Sequence, residues 1–277
     1  VLTGGDIMLV WTDDDYLNIW AQRFNRSGDA SWSPVRVNHT PVGSQVWSLK
    51  VASLPENESV VAFIDDRNGN NRAFVQRILS AGSPAWAADV QLQNMIFATE
   101  SSIRVGTDDF GNIIVGWLQL VGADYDVGFT RVDLDGNVAW DPARIANLDT
   151  THAQNSLVMR VAPGDGIYFG WREYTGVVYR MELQKWFFDG TCATGSDFNV
   201  LSDANNLGHA SMHILSTGNI LLILTNTVDH QNIMLTAVFS PDFDILATPQ
   251  LIYGPTTMWH TGSVSPASSK NGGALIT

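Results

Sequence analysis

A short apolar run occurs five times along the chain at almost constant spacing. Asp6–Trp11, Ser59–Ile64, Asn112–Trp117, Gly166–Trp171 and Asn219–Leu224 end 53, 53, 54 and 53 residues apart. A second marker keeps the same step: Gly28, Gly82, Gly136 and Gly190 are each 54 apart, and Trp32, Trp86 and Trp140 each follow their glycine by four. Between run and glycine lies a third: Gln22-Arg23, Gln76-Arg77, Thr130-Arg131 and Gln184-Lys185. Three markers in register signal internal duplication, and duplication at this period restricts the fold more than any local propensity.

Each run is short, rich in β-branched or aromatic residues and bounded by Gly, Asn or Asp, which predicts a buried strand. The Gln-Arg stretch predicts a second strand and the Trp stretch a third. A further strand precedes the runs at Ser48–Val51, Ser102–Val105, Val158–Val161 and Ser211–Ile214. Repeated four-stranded units with no capped helical period predict an all-β chain, a β-propeller of four-stranded blades. Five repeats of about 54 residues are visible in a single domain, 1–277, with units near 1–44, 45–99, 100–154, 155–207 and 208–259 and a partial one at 260–277. The first unit lacks its leading strand, a last leading strand is expected near His260 to Ser265, and Gly272–Thr277 resembles Gly4–Leu9 again. That ending favours a fragment of a propeller with six or more blades over a closed five-bladed one.

The net charge of −13, with only 16% of residues charged, argues against nucleic acid and against an anionic membrane surface. No apolar stretch is long enough to span a membrane. Cys192 has no partner cysteine and is expected to be a buried small residue rather than a nucleophile. Low charge, ten Trp and loops rich in Asn, Ser, Thr and Gly fit an exported or cell-surface protein whose leader has already been removed. Asn25, Asn38 and Asn57 head Asn-x-Ser/Thr triplets and are candidate glycan carriers.

Trp11-Thr12-Asp13, then Ile19 to Phe24 with Gln22-Arg23, Gly28 and Trp32 resemble repeats of secreted bacterial β-propeller proteins, as do Asp65 to Asn70 with Gln76-Arg77, Gly82 and Trp86. In those repeats a W-x-D-x-R-x-G hairpin precedes an I-Y-A-Q-R strand and G-x-x-x-W. The resemblance is specific in the first three units and implies a propeller on an exported or surface protein. It supplies no catalytic residues. Trp four after Gly, rather than three, separates these turns from the sialidase-type Asp-box.

Two sets of side chains recur. Lys50, Arg104, Arg160 and His213 are read as sharing one position in the leading strands. If that strand is innermost, they would ring the axial channel and hold an anionic glycan or a small anion. The competing expectation is that each pairs with a carboxylate. Asp13, Asp66 and Glu173 (with Gln119 and Asn226) come two residues after each run. They could serve acid–base chemistry or bind Ca²⁺, or could simply turn hairpins. The regular Trp spacing predicts packing between blades rather than sugar stacking. The six histidines show no metal-ligand spacing, and no nucleophile elbow, P-loop or Cys-pair motif occurs. No metal or cofactor is expected. The expected function is a non-catalytic binding or assembly module that takes a glycan or protein partner and is capable of self-assembly. The alternatives are a propeller-type glycoside hydrolase or lyase using the acids, and a structural subunit of an extracellular fibre or sheath.

Overall fold

The computed structural model describes residues 2, 5–39, 46–92, 103–203, 207–228, 231–256, 266–268 and 274–276. It is all-β, built of antiparallel sheets, with a 3-10 turn at Pro55–Asn57 and no α-helix among the described residues. The chain forms two compact units, 1–145 and 146–277.

The first unit holds three sheets, each a meander. One pairs β1 (Ile7–Thr12), β2 (Ile19–Phe24) and β3 (Val35–Arg36). The second pairs β4 (Val46–Ser53), β5 (Ser59–Asp65), β6 (Arg72–Ile78) and β7 (Val90–Gln91). The third pairs β8 (Arg104–Thr107), β9 (Ile113–Val121), β10 (Asp124–Val132) and β11 (Arg144–Ile145). In the second unit β12 (Gln154–Ala162), β13 (Gly166–Tyr174), β14 (Tyr179–Trp186) and β15 (Phe198–Asp203) form one sheet. The next comprises β16 (Leu207–Ile214), β17 (Ile220–Val228), β18 (Gln231–Phe239) and β19 (Ile245–Thr256). A two-stranded ribbon pairs β20 (Pro266–Ser268) with β21 (Ala274–Ile276). The leading strand expected at 260–265 lies outside the described residues.

The repeat survives as register. Ser59 faces Ile78, Ile113 faces Val132 and Ile167 faces Trp186, so both partners advance by 54 from sheet to sheet. The apolar runs are the second strands of the four-stranded sheets. All seven residues of β5 are buried, as a strand covered on both faces requires. β1 is an edge strand, and its Ile7, Leu9 and Trp11 are exposed.

Each marker has a physical cause. Gly28, Gly82, Gly136 and Gly190 all sit at φ between 82° and 89°, and each N–H closes a turn on the carbonyl three residues back. That conformation costs glycine nothing sterically. In the fifth unit Phe243 takes this place at φ 67°, and its ring packs on Phe198 and Tyr168. Trp32 lies so close to Gly82 of the next sheet that a Cβ there would meet its ring at 2.5 Å. Trp86 donates its indole N–H to the Leu134 carbonyl, again in the next sheet's turn. The Trp ladder therefore packs sheet on sheet within the first unit, as expected. The Gln-Arg marker divides its labour. The Gln22 and Gln76 amides donate to the Trp32 and Trp86 carbonyls, while Arg23, Arg77 and Lys185 pair with Asp6, Glu58 and Asp165 at the head of the apolar run.

Cys192 is half-buried, with its thiol near the carbonyls of Lys185 and Thr194, and burial raises its pKa above the usual thiol range. That disfavours the reactive thiolate. No helix among the described residues is long and apolar enough to cross a membrane.

Candidate functional site

Strand pairing gathers a polar group on one face of sheet β12–β15. Glu173 stands opposite Gln154 on one side and Arg180 on the other. Glu182 stands opposite Trp171 and Asn199. Because alternate residues share a face, Glu173, Arg180, Glu182 and Asn199 lie together. The opposite face carries Val158, Tyr168, Met181 and Leu183 into an apolar core shared with β16–β18. The polar face borders a cavity of about 640 Å³ lined by Leu148, Asp149, Glu173, Arg180, Glu182, Gly195–Asp197, Asn199 and Ser202. Four carboxylates thus meet one guanidinium.

Local structure fixes these groups. The β13–β14 hairpin turns through Gly176 at φ 88°, and the Thr175 hydroxyl donates to the Val178 carbonyl. The rings of Tyr174 and Tyr179 pack against each other where the two strands meet the turn, tilted by 34° with centroids 4.6 Å apart. Asp197 accepts from the backbone N–H groups of Leu148 and Asp149, both at 2.9 Å, and from the Gln184 amide. The Asn199 amide donates to Glu182 Oε1 at 2.8 Å. Glu173 is only 1% exposed, and its Oε1 has no hydrogen bond. The His152 Nδ1 and the Arg180 guanidinium Nη1 each stand 3.5 Å away.

Burial pushes the Glu182 carboxyl up to about 7, against its Asn199 hydrogen bond, and the Glu173 charge adds to the rise. Burial, and then the Asp149 charge, raises Glu173 above the carboxylate range. Asp197 is raised by burial despite its backbone donors. Asp149 moves the other way because the Thr151 hydroxyl and N–H bond to it. The ligating atoms of Asp149, His152 and Glu173 lie within 4.8 Å of one another, a set that could hold a metal ion.

Of the acids read from the sequence, only Glu173 lines this cavity. Asp13 is a hairpin residue, accepting from the N–H groups of Leu17 and Asn18 and from the Asn18 amide, which lowers its pKa. Asp66 lies in the β5–β6 turn. Pairing also moves the equivalence by one residue. Glu173 faces Arg180 and Gln119 faces Asp126, and the second sheet's counterpart is Asp65 facing Arg72. Glu182 and Asp197 were not singled out from the sequence. The 54-residue step could have found Asp197, which lies 108 beyond Asp89.

The basic set divides into two neighbouring couples. Lys50 faces Ala62 and Arg104 faces Gly116, 54 residues on, so these two share a position. In the next sheet that position belongs to Val158, facing Gly170, and Arg160 sits one pleat further along, facing Tyr168. His213 keeps the Arg160 position, facing Leu221. The single shared position read from the sequence is therefore two positions on one face. Burial and then Arg104 lower the pKa of Lys50, and burial and then Arg160 lower that of His213. Arg160 is exposed, yet the protein around it desolvates the guanidinium and lowers its pKa, and it donates to its neighbour Met159 O. Among the described residues neither Lys50 nor Arg160 forms an ion pair.

Asn38 does not suit a glycan. It is 1% exposed, accepting from Ile19 N and donating to Leu17 O. Asn25 is half-buried, with its side chain capping the 25–29 turn, and Asn57 ends the 3-10 turn at φ 61°.

No protein-family model and no curated protein matches the chain. Solved structures do. A protein of unknown function from Dyadobacter fermentans aligns over 91% of this chain and 80% of its own, with 12% identity and a TM-score of 0.55. A candidate exo-β-1,3-galactanase from Bifidobacterium bifidum aligns over 91% and 88%, with 10% identity and a TM-score of 0.51. A puromycin-hydrolysing peptidase from Mycobacterium tuberculosis aligns over 88% of this chain but 37% of its own, with 12% identity and a TM-score of 0.52. At these identities the likeness is one of fold, and it spans unrelated chemistries.

Proposed function

We propose that the chain is a β-propeller domain of an exported protein and that it acts on carbohydrate at the cavity of sheet β12–β15. The observation that carries the reading is the pair Glu173 and Glu182, two carboxyls in one cavity, one of them held near neutrality. Glycosidic cleavage asks for that pairing. Glu182 as the acid donates to the departing glycosidic oxygen, while Glu173, beside the Arg180 guanidinium, is the partner that activates the attacking water or stabilises positive charge on the ring. The fold likeness to a candidate galactanase and the resemblance of the repeats to secreted propellers support the substrate class and the compartment.

The test is product release from a panel of neutral, uronic and sulfated glycans. Wild-type protein should cleave at least one, and Glu182→Gln should lower the rate by about 100-fold or more. Absence of product across the panel, or an unimpaired Glu182→Gln, removes the reading. A second reading is favoured by Lys50 beside Arg104, and by Arg160, cationic groups that suit an anionic glycan. It predicts retention of sulfated or uronic chains without product, falling with salt and lost on neutralising Arg104 and Arg160.

A further inference from the structure

The chain contains its own comparison for this cavity. In sheet β4–β7, Arg67 reaches from the β5–β6 turn between Asp65 and Asp89, with its guanidinium 2.8 Å from Asp65 and 2.7 Å from Asp89. It lies flat over Phe74, 4.2 Å from the ring centroid. Moving 108 residues on, Asp65 becomes Glu173, Asp89 becomes Asp197 and Gln76 becomes Gln184. Asp65 and Gln76 share their pairing positions with Glu173 and Gln184, and Asp89 and Asp197 each come just before an equivalent pair, Val75–Val90 and Leu183–Phe198. Arg67 becomes Thr175, whose side chain stays in its own turn, and Phe74 becomes Glu182. The cationic plug is gone, the two acids that gripped it are kept, and a third acid replaces its aromatic floor. In sheet β8–β11, between them, the place is closed differently: Gln119 fills the space over Gly128 and accepts from the Trp117 indole. Glu173 lines that cavity, and its buried Oε1, with His152 and Arg180 3.5 Å away, makes no hydrogen bond.

We infer that the cavity binds a cationic group between Glu173 and Asp197, where Arg67 sits in the second sheet, and that its carrier is a glycan with unacetylated amines, a hexosamine chain. The charge follows from the geometry; the carrier rests on the carbohydrate reading above. Arg180 does not oppose a second cation, since its counterpart Arg72 faces Asp65 beside Arg67. Asp149 and His152 are the other titratable groups at the Glu173 carboxylate.

The experiment is calorimetric titration at pH 6 with a β-1,4-glucosamine tetramer and its fully N-acetylated form, with product analysis of the same samples. The amine form should bind at least tenfold tighter. Glu173→Gln should lose that preference. Thr175→Arg, which restores the plug from the hairpin turn, should abolish binding without lowering the urea midpoint. Equal affinity for the two tetramers, or binding unchanged in Thr175→Arg, overturns the inference. So does a melting-temperature rise with Zn²⁺ or Ca²⁺ and none with the amine tetramer, which would mark a metal site. Tight amine binding without cleavage keeps the inference and removes the hydrolase reading; cleavage of neutral chains with no amine preference does the reverse.

Discussion

Replacing Arg67 with alanine is expected to destabilise the 1–145 unit by about 3–5 kcal/mol, the usual cost of breaking a buried, hydrogen-bonded ion group from one side. The side chains of Asp65 and Asp89 are fully buried and that of Arg67 is 8% exposed. Removing the guanidinium leaves two carboxylates facing each other with no cation between them and strips the cover from Phe74. Burial already raises the Asp65 pKa, even with Arg67 in place. In the variant it should rise further, so the folded state would hold its proton more tightly than the unfolded chain. The added loss is then largest at high pH and shrinks as pH falls through the folded pKa. Arg67→Lys keeps the charge but not the two-armed geometry and should recover only part of the loss. Urea unfolding followed by Trp fluorescence decides it: a loss below about 1 kcal/mol at pH 7 would show that the Asp65–Arg67–Asp89 group does not hold this sheet as described.

Glu182→Gln should make the protein more stable in alkali. The folded carboxyl titrates at about 7 against an ordinary 4.5, so between those values the native state holds a proton that the unfolded chain has released. Stability therefore falls as pH rises through that window, and above it the cost is on the order of 3 kcal/mol. Glutamine keeps the oxygen that accepts from Asn199 and carries no charge. The variant should match wild type near pH 4.5 and exceed it by up to about 3 kcal/mol at pH 8.5. Paired urea titrations at the two pH values give the difference directly. A variant no more stable than wild type at pH 8.5 would mean that Glu182 ionises at no cost.

The same two sheets show what a reader of the sequence can and cannot see. The Gly, Trp and Gln-Arg markers are legible because each does one backbone-level job at one register position: a positive-φ turn, a packed ring, a hydrogen bond donated to the Trp carbonyl. Such jobs tolerate few residue types, so identity survives duplication. Glu173 is visible for the same reason, as a polar residue at a fixed distance from an apolar run. Glu182 is not, because its position holds Phe74 in one sheet and Gly128 in another. What lies above that position decides the residue: a guanidinium, an amide or a cavity. Counting from the ends of apolar runs also misplaced two residues. Pairing puts Asp65 where the count reaches Asp66, and Val158 where the sequence pattern suggests Arg160, which lies 56 residues after Arg104, two more than the step. Asn38 fits a glycosylation triplet by sequence, and only burial rules it out.

Carbon-13 titration of the glutamate side-chain carboxyls addresses the acid cavity most directly. One resonance should titrate near pH 7, vanish in Glu182→Gln and move to lower pH when the glucosamine tetramer places a cation beside it. A spectrum in which every glutamate titrates below about pH 5, with or without the tetramer, would contradict a buried acid poised for proton transfer and a cation site next to it.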